Sequence, residues 1–205
     1  MTASTGGRTR IPYRFYRDAD LYERELERIF YGPTWNYVGL ECEVPNAGDF
    51  RRVHVGEREV LVLRTAEGGI NVIENRCAHR GAQICQALSG NSGGGLMCPY
   101  HQWTYDLDGK LTGLPYRRGI KGKGGMPPDF DLARHSLNRL KVEVLNGVVF
   151  ASFDAPPPLS DYLGPQMLHF FTRVFDGRPL RLVGYQRQMI DCNWKLQLEN
   201  LKDPY

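Results

Sequence analysis

The sequence predicts a mainly β chain of antiparallel strands, preceded by a helical segment and followed by the start of an α+β unit. Three observations carry that expectation. Short runs of β-branched and apolar residues recur from about residue 35 to residue 153. Two hairpin-turn pairs, Asp108-Gly109 and Asn146-Gly147, each follow one such run and precede another. One loop pattern is written twice, as RCAHRG at 76–81 and MCPYHQW at 97–103, each with a cysteine followed closely by a histidine.

The elements follow in chain order. Residues 18–30, DADLYERELERIF, read as a helix capped by Asp18 or Asp20, with Leu21, Tyr22, Leu26, Ile29 and Phe30 at helical spacing. Gly32-Pro33 ends it. In DFRRVHVGEREVLVLRT, Phe50, Val53 and Val55 precede a turn near Gly56, and Val60 to Leu63 follow it, which predicts a hairpin. GGINVIENR reads as a third strand. Trp103, Tyr105 and Leu107 alternate into the Asp108-Gly109 turn, and SLNRLKVEVLNGVVFASFD folds back at Asn146-Gly147. SGNSGGG at 89–95 reads as a flexible tip and lacks the GK[ST] of a phosphate loop. Three prolines in DAPPPLS mark a stiff linker. Beyond it, SDYLGPQMLHFFTRVF predicts a helix capped by Ser160, PLRLVGYQRQMI a strand, and NWKLQLENLKDPY the beginning of a helix. The expected division is a helical segment 1–34, a metal-loop domain 35–155, and the opening 156–205 of a further domain.

Composition narrows the function classes. Hydrophobic residues make up 41% of 205, enough for a core. A net charge of +3 is too slight to point to nucleic acid. No apolar run of membrane-spanning length occurs, and MTASTGGRTR lacks the apolar stretch of a signal peptide. Five scattered cysteines do not suggest a disulfide framework, so a reducing, cytoplasmic setting is expected.

The paired loops carry the chemistry. Thiolate and neutral imidazole suit zinc or an iron–sulfur cluster. A structural zinc knuckle usually takes two cysteines from one loop. Here each loop supplies one of each type, Cys77 with His79 and Cys98 with His101. That pairing suits two adjacent irons, one held by both thiolates and one by both imidazoles, as in a Rieske [2Fe–2S] centre. A structural zinc site is the alternative.

Cys77-Ala78-His79-Arg80-Gly81-Ala82 together with Cys98-Pro99-Tyr100-His101-Gln102-Trp103 closely resembles the Rieske domain of aromatic-ring-hydroxylating oxygenase large subunits. The resemblance extends to Trp35, Gly48-Asp49-Phe50 and Asp108-Gly109. At the end of the chain, Glu199, Asn200, Asp203 and Tyr205 match the family's E-N-x-x-D-x-Y-H motif. The stretch looks most like large subunits acting on aromatic carboxylates, of the salicylate 5-hydroxylase and anthranilate dioxygenase type.

The resemblance implies a set of roles. Cys77 and Cys98 ligate one iron of the cluster, and His79 and His101 the other. The turn at Arg80 and Gly81 offers backbone N–H groups to the sulfides, and Trp103 packs beneath the cluster. Respiratory Rieske proteins carry a further bridging cysteine in each loop, whereas here the second loop has Pro99-Tyr100 between its ligands and no spare cysteine, so a low potential of the oxygenase type is expected, with Cys85 a small buried residue. Asp203 joins a Rieske histidine of one subunit, His101 or His79, to an iron-ligand histidine of its neighbour. The family's mononuclear Fe(II), whose ligands fall beyond residue 205, hydroxylates an aromatic substrate with dioxygen. Electrons come from NAD(P)H through a reductase or ferredoxin. Identical large subunits form a trimer, with or without a small β subunit. On this reading residues 1–205 carry electrons without hydroxylating anything. A free-standing Rieske ferredoxin is the competing function, and residues 18–30 and 199–205 exceed what it needs. The basic stretch with Arg117, Arg118, Lys121 and Lys123 suits an acidic electron donor or is a solvated loop. His54, His135, His169, Cys42 and Cys192 are expected to be structural.

Overall fold

The computed structural model describes residues 11–202. A short helix α1 (Arg14–Arg17) leads into α2 (Ala19–Glu25), which continues as a wider turn over Leu26–Phe30. Of the two candidate caps, Asp18 serves, its carboxylate accepting the Leu21 N–H at 3.0 Å. Gly32 closes the helix where a Cβ would meet the Arg28 carbonyl at 2.6 Å.

Three antiparallel sheets follow. One joins β1 (Asn36–Leu40), β10 (Val148–Ser152) and β9 (Lys141–Leu145) in the order β1-β10-β9. The second runs β4 (Ile70–Glu74), β3 (Arg58–Arg64), β2 (Asp49–Val55), β5 (Ser89–Asn91). The third is small: β6 (Leu96–Met97), β7 (Thr104–Tyr105) and β8 (Leu111–Gly113). The two-residue turn signals act as the sequence predicts. Asn146 and Gly147 both have positive φ, 50° and 81°, the combination a tight hairpin demands. Gly109, at φ 80°, turns β7 into β8 with Leu137 packed over it.

Two buried clusters result. Val38, Val44, Val55, Val60, Val62, Val72 and Val149 fill the space between the two larger sheets. Alternate residues of β3, Leu61 and Leu63, point to the other side with Ile73, Phe50, Trp103, Tyr105, Cys77 and Cys98. The near-continuous apolar run of β3 is therefore buried on both faces, and this second cluster is the floor of the paired loops.

Four expectations need correction. SGNSGGG is not simply a flexible tip, because Ser89–Asn91 pairs with β2. Its anchor is Asp49, whose carboxylate accepts N–H bonds from Asn91 at 2.8 Å and from Asn46 at 2.7 Å. Ser160 does not cap α3 (Leu159–Val174); the helix starts after Pro158, and the Leu159 N–H is taken by Glu143 at 3.1 Å. Gly164, at φ 69° and ψ 165°, breaks α3 just before Pro165. PLRLVGYQRQMI is not a strand. Residues 179–190 run irregularly with Val183 and Met189 fully exposed, since alternation supplies a face but no pairing edge. The last element, α4 (Trp194–Lys202), packs on the N-terminal helix: the Lys195 ammonium lies 2.6 Å from Glu25 and the Trp194 indole donates to Glu25 at 3.0 Å.

Asp49 provides a pH test of this account. Its bonds to Asn91 and then Asn46 hold its pKa below the ordinary carboxylate value. A lowered folded-state pKa gives stability that is complete above about pH 4 and lost as pH falls through the lowered value. The stability advantage of wild type over Asp49→Asn, from urea midpoints, is therefore expected to shrink below about pH 4. A difference that stays constant down to about pH 2 refutes this.

Candidate metal centre

The first loop leaves β4 and the second is the tip of the β6–β7 hairpin. Within the first, the Cys77 N–H donates to the Ala82 carbonyl at 2.8 Å and the Gly81 N–H returns to the Cys77 carbonyl at 2.9 Å. Gly81 sits at φ 72°, where a Cβ would meet the Arg76 guanidinium at 2.9 Å. Within the second, the Cys98 N–H donates to the Trp103 carbonyl and the Gln102 N–H to the Cys98 carbonyl, both at 2.9 Å. Each loop is thus a small closed ring that aims its cysteine inward and its histidine outward.

Cys77 and Cys98 are 3% and 1% exposed, whereas His79 and His101 are half-buried at the rim. The His79 and His101 Nδ1 atoms face each other at 3.1 Å. The two thiols lie close enough to interact, and burial above all pushes the Cys77 thiol up. Burial, then the neighbouring His101 and Arg80, push the His79 pKa down. The imidazole is accordingly held neutral, the form in which it ligates metal. Side chains from two loops, Cys77 with Cys98 and, 22 residues apart, His79 with His101, therefore meet as two like pairs: thiol with thiol inside, imidazole with imidazole outside. Among the described residues no three His, Cys, Asp or Glu side chains gather around one point as a single-ion site. The donor set fits a [2Fe–2S] group with two ligands on each iron.

Residues 34–123 match the Rieske [2Fe–2S] domain family. The chain carries a Rieske domain. It is 55% identical over 204 residues to the large oxygenase component of salicylate 5-hydroxylase from a Ralstonia species, covering 97% of this chain and 48% of that protein. It is 50% identical over 198 residues to the anthranilate 1,2-dioxygenase large subunit of Burkholderia cepacia, covering 96% and 46%. Among solved structures, naphthalene 1,2-dioxygenase from a Rhodococcus species superposes with a TM-score of 0.80 at 33% identity, over 93% of this chain and 42% of that one. The chain thus spans about half the length of the curated relatives it matches.

Around the Rieske loops, Trp103 is 4% exposed and its indole lies parallel to the His79 ring, centroids 4.8 Å apart and planes within 9°. Arg80 is exposed. The Gly81 N–H is already taken by the Cys77 carbonyl, so this donor closes the loop and does not face inward as the resemblance implied. Cys85 is half-buried, and burial pushes its thiol up to about 11, which keeps it protonated and unreactive. Cys192 is exposed rather than structural. Asp203 lies outside the described residues.

Two residues with no individual sequence signal complete the Rieske site. Tyr105, 1% exposed, places its hydroxyl 3.1 Å from the Cys77 sulfur and 3.2 Å from the Ala78 N–H. The Ala78 N–H donates to that oxygen, which leaves the hydroxyl proton for sulfur. A donor on a ligating thiolate favours the state with more negative charge, the reduced one. Tyr105→Phe is therefore expected to lower the midpoint potential by on the order of 60 mV, about 1.4 kcal/mol for one electron. An unchanged potential in redox titration sinks the idea. The second residue is Asn75, whose carbonyl oxygen accepts from the Ile84 and Cys85 N–H groups at 3.1 and 2.9 Å. Only its fold position reveals it, because its partners lie nine and ten residues away.

Proposed function

We propose that Cys77 and Cys98 ligate one iron of the cluster and His79 and His101 the other, and that the chain is the electron-entry part of a ring-hydroxylating oxygenase large subunit. The observation carrying this reading is the sorting of the four side chains into a buried thiol pair and a half-buried imidazole pair. When bound, the cluster accepts and releases one electron at a time. The protein's own part is to keep the thiolates dry, to present the imidazoles at the rim, and to hold Trp103 against His79.

The whole protein is proposed to use a mononuclear Fe(II) and dioxygen to hydroxylate an aromatic, carboxylate-bearing substrate. The relatives' names, salicylate 5-hydroxylase and anthranilate 1,2-dioxygenase, support that substrate class. NAD(P)H supplies the electrons through a reductase or ferredoxin. Arg117, Arg118, Lys121 and Lys123 are exposed on a segment whose ends, Leu114 and Met126, pack against the core that holds both cysteines. An acidic carrier docking there would approach the imidazole rim. Identical subunits in a trimer, with or without a small β subunit, bring Asp203 of one chain to a Rieske histidine of the next. The division into 1–34, 35–155 and 156–205 and a cytoplasmic location belong to the same reading. No helix among the described residues is long and apolar enough to cross a membrane.

The deciding experiment is low-temperature EPR of the dithionite-reduced protein, with iron and acid-labile sulfide assayed on the same sample. Two irons, two sulfides and a Rieske-type signal are expected. EPR silence with one zinc per chain overturns the reading.

A further inference from the structure

The outer side of Trp103 is closed by a second aromatic pair. His135 meets the indole at 5.7 Å and 70°, and Phe130 meets it at 6.2 Å and 87°. The two stack on each other, centroids 4.4 Å apart at 23°. Both come from the segment after the basic loop, and the backbone around them is pinned. The Asp131 carboxylate caps the short helical turn Leu132–His135 by accepting the Ala133 N–H at 2.9 Å. The His135 Nδ1 is bonded to the Asp131 carbonyl at 3.0 Å, and the Leu137 N–H donates to the Gly109 carbonyl at 2.7 Å. A continuous aromatic series therefore runs Phe130, His135, Trp103, His79, from an anchored turn to a proposed iron ligand.

Resting on the ligand assignment above, we propose that His135, backed by Phe130, is a positioning residue of the Rieske centre: it holds the Trp103 indole flat against the His79 imidazole and keeps water from that side. His135 is not one of the four proposed ligands, and its ring packs on Trp103 and Phe130. Its effect passes through Trp103 to the plane of the His79 ring, which governs imidazole overlap with the metal. Reduction adds negative charge, and a drier surrounding disfavours it. Opening the wall therefore favours the reduced state.

The test compares the cluster-loaded wild type with His135→Ala and His135→Phe. It reads EPR g-values, visible circular dichroism, potentiometric titration and iron and sulfide content. His135→Ala is expected to keep two irons and two sulfides, to shift its g-values, and to move the reduction equilibrium about tenfold toward the reduced state, about 59 mV for one electron. His135→Phe, which keeps an aromatic face, is expected to return toward wild type. Should His135→Ala fail to load, Phe130→Leu is read by the same criteria. A wild-type spectrum and potential in the variant that loads overturn the proposal. So does loss of the cluster from both, which would make the pair a folding element only. Absence of a Rieske-type signal in the wild type instead overturns the ligand assignment itself.

Discussion

Cys98→Ser is expected to reduce bound iron and acid-labile sulfide to background and to bleach the visible spectrum. Cys98 is 1% exposed in the loop at the tip of the β6–β7 hairpin, its N–H fixed to the Trp103 carbonyl at 2.9 Å. Serine offers a hard, protonated oxygen where a soft thiolate is required. Two iron ligands would then become one. Because bound metal stabilises only the folded loops, its loss also lowers stability. A group held at a hundredfold above its dissociation constant contributes about 2.7 kcal/mol. Cys42→Ser, outside the paired loops, is the control and is expected to keep both irons. Metal and sulfide assays on purified protein decide the matter, and a Cys98→Ser protein with two irons and two sulfides refutes the assignment.

Asn75→Ala is expected to be the most destabilising single change outside the ligands, by roughly 3–5 kcal/mol. Asn75 is 4% exposed and ties the strand that enters the first loop to the chain that leaves it. Its oxygen accepts two N–H groups, from Ile84 and Cys85, and its amide donates to the Cys85 carbonyl at 2.8 Å and to Glu59 at 3.3 Å. Alanine leaves the buried Ile84 donor and the half-buried Cys85 donor and acceptor without partners, at about 1–3 kcal/mol each. The Cys77 ring would then open more often, so iron release to a chelator is expected to quicken in step. Urea unfolding checks the first effect and the rate of iron transfer the second. A loss below about 1 kcal/mol with unchanged iron release would show that the loop closes without Asn75.

The mainly antiparallel architecture, the α2 helix, the Asp108-Gly109 and Asn146-Gly147 turns, and the two loops of the site are all readable from the amino-acid sequence. Those features are legible because their causes are local. A Gly needed at positive φ, an Asp three residues from the N–H it caps, and a thiolate next to an imidazole all act over a few positions. Residues 179–190 show the limit of such reading. Their pattern fits a strand, yet a strand exists only where another edge accepts its hydrogen bonds, and none does among the described residues. Ser89–Asn91 shows the converse, since a Gly-rich tip became a strand because Asp49 and β2 stood beside it. The facing of like pairs across the two loops, and the service of Tyr105, Asn75 and His135 to them, emerge only in the folded chain. Tyr105 reaches Cys77 across 28 residues, and His135 reaches Trp103 from beyond β7, β8 and the segment that follows them. Buried polar and aromatic groups take whatever partners the packed sheets bring within reach, and that proximity is a property of the fold rather than of any short stretch of chain.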